Sequence, residues 1–111
     1  MKKLIFGLIF MVSNLLAYFP GSQLYEYGLE YNKMRHGLQS NGAGVGAFLG
    51  YIGAINDMAV QHFYCLPNNV EGSTIADVVF KYLDEHPEKR TSMASVLVVN
   101  ALKEAYPCKR K

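Results

Sequence analysis

Between Gly42 and Asp57 the chain reads GAGVGAFLGYIGAIND, with glycine at 42, 44, 46, 50 and 53. A backbone this bare fits three architectures: a phosphate-cradling loop, a contact between membrane helices, or a buried helix that admits a close neighbour. A dinucleotide loop needs G-x-G-x-x-G between a strand and a helix. Counting from Gly42 the third position is Ala47, from Gly44 it is Leu49, and no strand pattern precedes either. A Walker loop needs Gly-Lys-Ser/Thr, and no lysine lies between 34 and 80. Gly42, Gly46 and Gly50 have the i, i+4 spacing of membrane-helix contacts, but Asn56, Asp57, Gln61 and His62 follow at once. The apolar run is also shorter than the ~20 residues a spanning helix requires. The remaining reading is a buried helix whose glycine face, with Gly50 and Gly53 beside Ala54 and Asp57, takes a neighbouring helix closely. Each interior glycine costs up to ~1 kcal/mol against alanine, which close packing would offset.

The two ends set the compartment. Lys2 and Lys3 precede the apolar run Leu4–Leu16, and Ala17 supplies a small residue for cleavage. A short basic segment, an apolar core of this length and a small residue after it describe a secretory signal peptide. An uncleaved N-terminal anchor is the alternative. Residues 1–17 are therefore expected to be removed, leaving 18–111 as one domain in the periplasm, with no membrane segment. The formal charge of +2 is carried by Lys2 and Lys3, so the remaining chain is neutral and offers nucleic acid no basic surface. A domain of this size has a modest core and gains from a covalent staple. The two cysteines, Cys65 and Cys108, in an oxidising compartment read as a disulfide. A metal shared by His62 and Cys65 lacks a second ligand pair at zinc spacing, and a Cys65 nucleophile would have to stay reduced beside Cys108.

The helix pattern is regular. Ser22 can cap a first helix whose apolar face is Leu24, Tyr27, Gly28, Tyr31 and Leu38, ended by HGLQSNGAG. A second helix is expected from about Val45 to Tyr64, stopping before CLPNN. A third opens at Ser73 or Thr74, where Thr74 and Asp77 fit a capping box, and shows Ile75, Val78, Val79, Tyr82 and Leu83 at helical spacing. Pro87 breaks it. A fourth runs from about Ser92 to Ala105 with Leu97, Val98, Ala101, Leu102 and Ala105 inward. The fold class is all-α, a small bundle of about four helices stapled by one disulfide.

The pieces LGYIGAIND, CLP, ADVVFKYLDEHPEKR and ASVLVVNALKEAYPC, in this order and spacing, resemble the Rap/Tai family of type VI secretion system amidase immunity proteins. The matching positions include Gly50, Tyr51, Asp57, Cys65, Pro67, Tyr82, His86, Pro87, Ala101, Tyr106 and Cys108, across about 60 residues. The second glycine of the family's G-Y-I-x-G pattern is Ala54 here. The family's N-terminal cysteine pair falls on Gly28 and Phe48. The resemblance implies a periplasmic helical inhibitor, often dimeric, that binds a cognate peptidoglycan amidase toxin and occludes its active site. It implies no catalytic residue, metal or cofactor of its own. Partner contacts are expected in the two connectors, Asn68, Asn69 and Glu71 in one and Glu88, Lys89 and Arg90 in the other. His86 is expected to end its helix and Asp57 to hold a buried hydrogen bond. The competing reading is a small periplasmic acid-activated helical chaperone, which the modest carboxylate content disfavours. An enzyme using His62, Asp57 and Cys65 ranks third.

Overall fold

The computed structural model describes residues 18–109, which form four α-helices: α1 Gly21–Arg35, α2 Gly42–Ala59, α3 Gly72–Glu85 and α4 Ala94–Ala105. A single 3-10 turn, Pro87–Lys89, sits between α3 and α4. The expected signal peptide lies outside the described residues, among which no helix is long and apolar enough to cross a membrane.

The core takes one face from each helix. Leu24 and Tyr31 of α1 meet Phe48 and Ile52 of α2, Ile75, Val79 and Leu83 of α3, and Leu97, Val98 and Leu102 of α4, all buried. The α3 face expected from helical spacing is thus the observed one, apart from Val78, which is half-buried. On α4 Ala105 is exposed, because the helix ends there and its last turn leaves the core.

The helix starts differ from expectation. Ser22 caps nothing. The chain enters α1 through Pro20, and the orphan N–H groups of Gly21 and Ser22 donate to the carbonyls of Ser92 and Arg90 at 2.8 Å each. The cap is supplied by the α3–α4 connector, a tertiary arrangement that local sequence does not encode. Ala94 N–H in turn donates to Phe19 O at 2.9 Å, so the starts of α1 and α4 are tied together. For α2 the cap is Asn41, whose Oδ1 accepts from Ala43 and Gly44, so the helix begins at Gly42, three residues before the expected start. For α3, Thr74 lies inside the helix and Glu71 precedes it without a side-chain cap bond. Leu38 falls beyond α1 and is exposed.

The glycine face of α2 does not pack as expected. A Cβ built at Gly42, Gly46, Gly50 or Gly53 would meet nothing within 4 Å, so that side of the helix faces solvent. Close approach occurs one face round, at Gly44, where a Cβ would lie 3.0 Å from Glu30 Cγ, and across the interface at Gly28 of α1. At Gly28 a Cβ would sit 2.9 Å from Phe48 Cε1 and 2.8 Å from Phe80 Cδ1. The two positions assigned to the family's missing cysteine pair therefore face each other. Here the Phe48 ring fills the space, stacked on Tyr31 at 5.2 Å and edge-on to Phe80 at 6.5 Å.

Candidate functional site

α2 stops at Ala59, five residues short of the expected Tyr64. Val60 turns extended and Gln61 takes φ +66°, in the left-handed region that non-glycine residues rarely occupy. The turn is closed by Gln61 N–H on Tyr64 O at 2.6 Å and by His62 and Phe63 N–H on Ala59 O. Tyr64 anchors it from below: the side chain is fully buried and its hydroxyl donates to Asn56 Oδ1 at 2.7 Å. Burial, with the nearby Asp57 charge adding, raises the pKa of that hydroxyl. The buried bond expected at Asp57 is thus made by its neighbour Asn56, because Asp57 lies one helical step round on the solvent face.

The chain then reaches the disulfide. Cys65 and Cys108 are bonded, with their Cα atoms 4.8 Å apart and a sequence separation of 43. Cys65 N–H also donates to Tyr106 O at 2.9 Å. The bond commits the Cys65 sulfur, which removes the thiol that a nucleophile or a His62–Cys65 metal pair would need. Among the described residues no group of three or more His, Cys, Asp or Glu side chains converges on a metal position. Past Pro67, Asn68 and Asn69 form an exposed turn in which Asn69 takes φ +67°. Asparagine tolerates that conformation better than most residues. Glu71 follows, exposed, at the start of α3. Both left-handed non-glycine residues among those described therefore fall between Gln61 and Glu71.

The second connector is built differently. His86 ends α3, as expected, with its ring 4.5 Å from Tyr82 and Nδ1 3.3 Å from Glu88 Oε1. Hydrogen bonding at its own backbone, with His86 beside it, lowers the Glu88 pKa. Pro87 opens the 3-10 turn. Lys89 Nζ donates to Tyr82 Oη at 3.2 Å. Arg90 is half-buried and committed inward: Nε donates to Leu83 O at 2.8 Å, one terminal nitrogen to Asp84 O at 3.1 Å, and the guanidinium lies 3.6 Å from the Tyr25 ring centre. It satisfies the end carbonyls of α3, as a cation at a helix C-terminus should. Glu88 and Lys89 remain exposed.

The structure does not bring the two expected contact sets together. Asn68, Asn69 and Glu71 precede α3, and Glu88, Lys89 and Arg90 follow it. A 14-residue helix separates the sets by roughly 20 Å. The motif residues Gly50 and Tyr51 of α2 also divide: Gly50 is exposed, whereas Tyr51 is half-buried against Phe19, with ring centres 4.9 Å apart.

Sequence reasoning missed an apolar groove of about 340 Å³ between α2 and α4, lined by Ile55, Met58, Ala59, Phe63, Ser95, Val96, Val99 and Asn100. Met58 is 77 % exposed, Phe63 59 % and Val96 47 %. The available signal was Val96, which falls outside the inward positions assigned to α4, and Phe63, which the expected longer α2 placed on a helix.

The family described as Rap1a immunity proteins matches residues 21–108, nearly the whole described chain. No curated protein and no solved structure matches. Four helices in one bundle, the Cys65–Cys108 bond and a match of that extent agree with one another, and the chain belongs to the Rap1a immunity protein family.

Proposed function

We propose that the chain is a periplasmic immunity protein that binds a peptidoglycan amidase toxin delivered by type VI secretion and occludes its active site. Family membership supports the inhibitory role. Export through residues 1–17 and residence in the periplasm are supported by the leader pattern and by the Cys65–Cys108 bond, which belongs in an oxidising compartment. A toxin that cuts the cell wall has to be met on the same side of the inner membrane. A second copy of the chain is a further partner that the resemblance implies.

The observation that carries the reading is the construction of Gln61–Glu71. A disulfide, a buried tyrosine anchor and two left-handed residues hold an exposed segment in one shape. Left-handed backbone at non-glycine residues is retained where the surroundings enforce it, and such positions cluster at binding sites. A segment already fixed loses little entropy when it enters a groove on a partner. Asn68, Asn69 and Glu71 are assigned as its polar contacts. Glu88 and Lys89 are assigned as a second contact about one helix length away, with Arg90 holding that turn in place. The occluding protein contributes no catalytic group and no cofactor.

The test is capture of type VI amidase toxins by the oxidised protein purified from the periplasm, with wall cleavage as the activity readout. A stoichiometric complex with lost cleavage is expected. A chain that binds none of them, yet keeps many unrelated proteins soluble in acid, would transfer the reading to a chaperone.

A further inference from the structure

The Gln61–Cys65 turn presents a large apolar side chain to solvent for which the fold supplies no cover. Phe63 is 59 % exposed at the tip of a turn whose backbone is bonded at Gln61, His62, Phe63 and Cys65. On one side of the ring lies the groove of Ile55, Met58, Val96 and Val99. Eight large apolar side chains are exposed among the described residues, and three of them, Met58, Phe63 and Val96, converge here. No charged side chain lines the groove, and its polar groups are Ser95 and Asn100. Exposed apolar surface gathered at one place, with small polar groups at its edge, marks an interaction site rather than ordinary surface variation.

We propose that Phe63, with Met58 and Val96 beside it, is the apolar anchor that this chain sets into an uncharged, apolar recess of its toxin. This rests on the immunity reading and deepens it by naming the anchor and the chemistry of the surface that receives it. Two observations select the toxin as occupant, and a third sets the chemistry of the surface it offers. The family requires a toxin partner. Phe63 stands five residues before Asn68, in the same disulfide-pinned segment that carries Asn68, Asn69 and Glu71, so a single interface of ordinary size can take both. The lining is neutral, so a charged partner surface would lose its solvation there without gaining an ion pair. The geometry also has the form of a hot spot. The backbone of the turn beneath Phe63 is already fixed by its hydrogen bonds, and the aromatic side chain has only two torsions to immobilise on binding.

The experiment uses the oxidised full chain after export, titrated with the type VI amidase toxin that the wild-type protein captures, in an inactivated form. Phe63→Ala is compared with Asn68→Ala and with Phe63→Leu, and each variant is checked by thermal unfolding and by sedimentation. Phe63→Ala is expected to weaken the complex at least about thirtyfold at unchanged melting temperature, while Phe63→Leu recovers most of the affinity. Affinity of Phe63→Ala within threefold of wild type overturns the anchor and leaves the immunity reading standing. A wild-type dimer that Phe63→Ala splits into monomers with toxin affinity retained assigns the patch to a second copy and likewise overturns the proposal. If the wild-type chain captures no toxin, the immunity reading itself falls, and the anchor with it.

Discussion

Replacing Gly28 and Gly50 by alanine gives opposite signs, although both are interior helical glycines of one small domain. At either position the change removes backbone freedom from the unfolded chain, which is worth up to ~1 kcal/mol in favour of folding. At Gly50 nothing lies within 4 Å of the new methyl group, so that gain is kept. At Gly28 the methyl carbon would fall 2.9 Å from Phe48 Cε1 and 2.8 Å from Phe80 Cδ1, closer than real side-chain carbons sit. The half-buried Phe80 ring has room to move outward. Phe48 is fully buried and stacked on Tyr31, so it has none. Overpacking of this kind costs ~1–3 kcal/mol, and it exceeds the propensity gain by about 1 kcal/mol. The two variants should therefore differ by about 2 kcal/mol, which for a domain of this size separates their melting temperatures by about 8–16 °C, with wild type between them. Thermal unfolding followed by far-UV circular dichroism, disulfide intact, reads this directly. Gly28→Ala should recover when Phe48 is also shortened to Leu, the non-additivity expected of side chains in contact. A Gly28→Ala protein that melts above wild type, as Gly50→Ala should, would refute the steric reading of the α1–α2 contact.

Removing the disulfide with Cys65→Ser and Cys108→Ser should cost on the order of 4 kcal/mol, from the 43-residue separation it closes, and denaturant unfolding with and without reductant checks the value. Arg90→Ala should lose about 2 kcal/mol, since it leaves the Leu83 and Asp84 carbonyls without a charged donor and uncovers the Tyr25 ring. Arg90→Lys should recover little of that loss in a thermal melt, because an ammonium cannot bridge two carbonyls while lying flat on a ring. Stability should fall on the alkaline side. The Tyr31 pKa is raised well above its ordinary value, by burial first and then by the Asp77 bond, and burial raises those of Tyr51 and Tyr64. A raised folded-state pKa gives stability that is complete below the unfolded value near 10 and is lost as pH climbs past it. On the acid side, the lowered carboxylates are only two, Glu30, half-buried beside Lys33, and Glu88, exposed. Circular dichroism from pH 3 to 11 should therefore show the alkaline transition as the larger one. A cooperative loss of helix already at pH 5 would contradict this and favour an acid-triggered protein.

The legible parts of the sequence were those set by period and compartment. The stripe through Ile75, Val79, Tyr82 and Leu83 fixes which side of α3 is inside, and no other element could take those residues without exposing them. The cysteine pair follows from the leader pattern of residues 1–17 and from the absence of a third cysteine. What was not legible depends on partners far away in the chain. The start of α1 is capped by Arg90 and Ser92 carbonyls some 70 residues later, so Ser22 looked like a cap and is not one. The end of α2 at Ala59 is enforced by the Tyr64–Asn56 bond and by the disulfide beyond it, neither of which is written into the apolar period. The glycine face failed for a related reason. Spacing shows which residues share a side of a helix, and only the neighbours show whether that side is covered.

The departures from the family pattern become intelligible at the α1–α2 contact. A disulfide between positions 28 and 48 would hold two helices by a bond and need little around it. Glycine at 28 and phenylalanine at 48 hold the same helices by packing: the missing side chain on α1 makes the room that the ring on α2 fills, and neither residue works without the other. Covalent constraint then remains at one place, the Cys65–Cys108 bond, beneath the turn that raises Phe63 and beside the turn of Asn68 and Asn69. The core can tolerate being held by packing alone, because the sixteen buried apolar residues among those described support one another. An exposed turn with left-handed backbone has no such support, and it is there that a bond not dependent on burial is most needed. The distribution of constraint thus points to the same end of the molecule as the exposed aromatic ring.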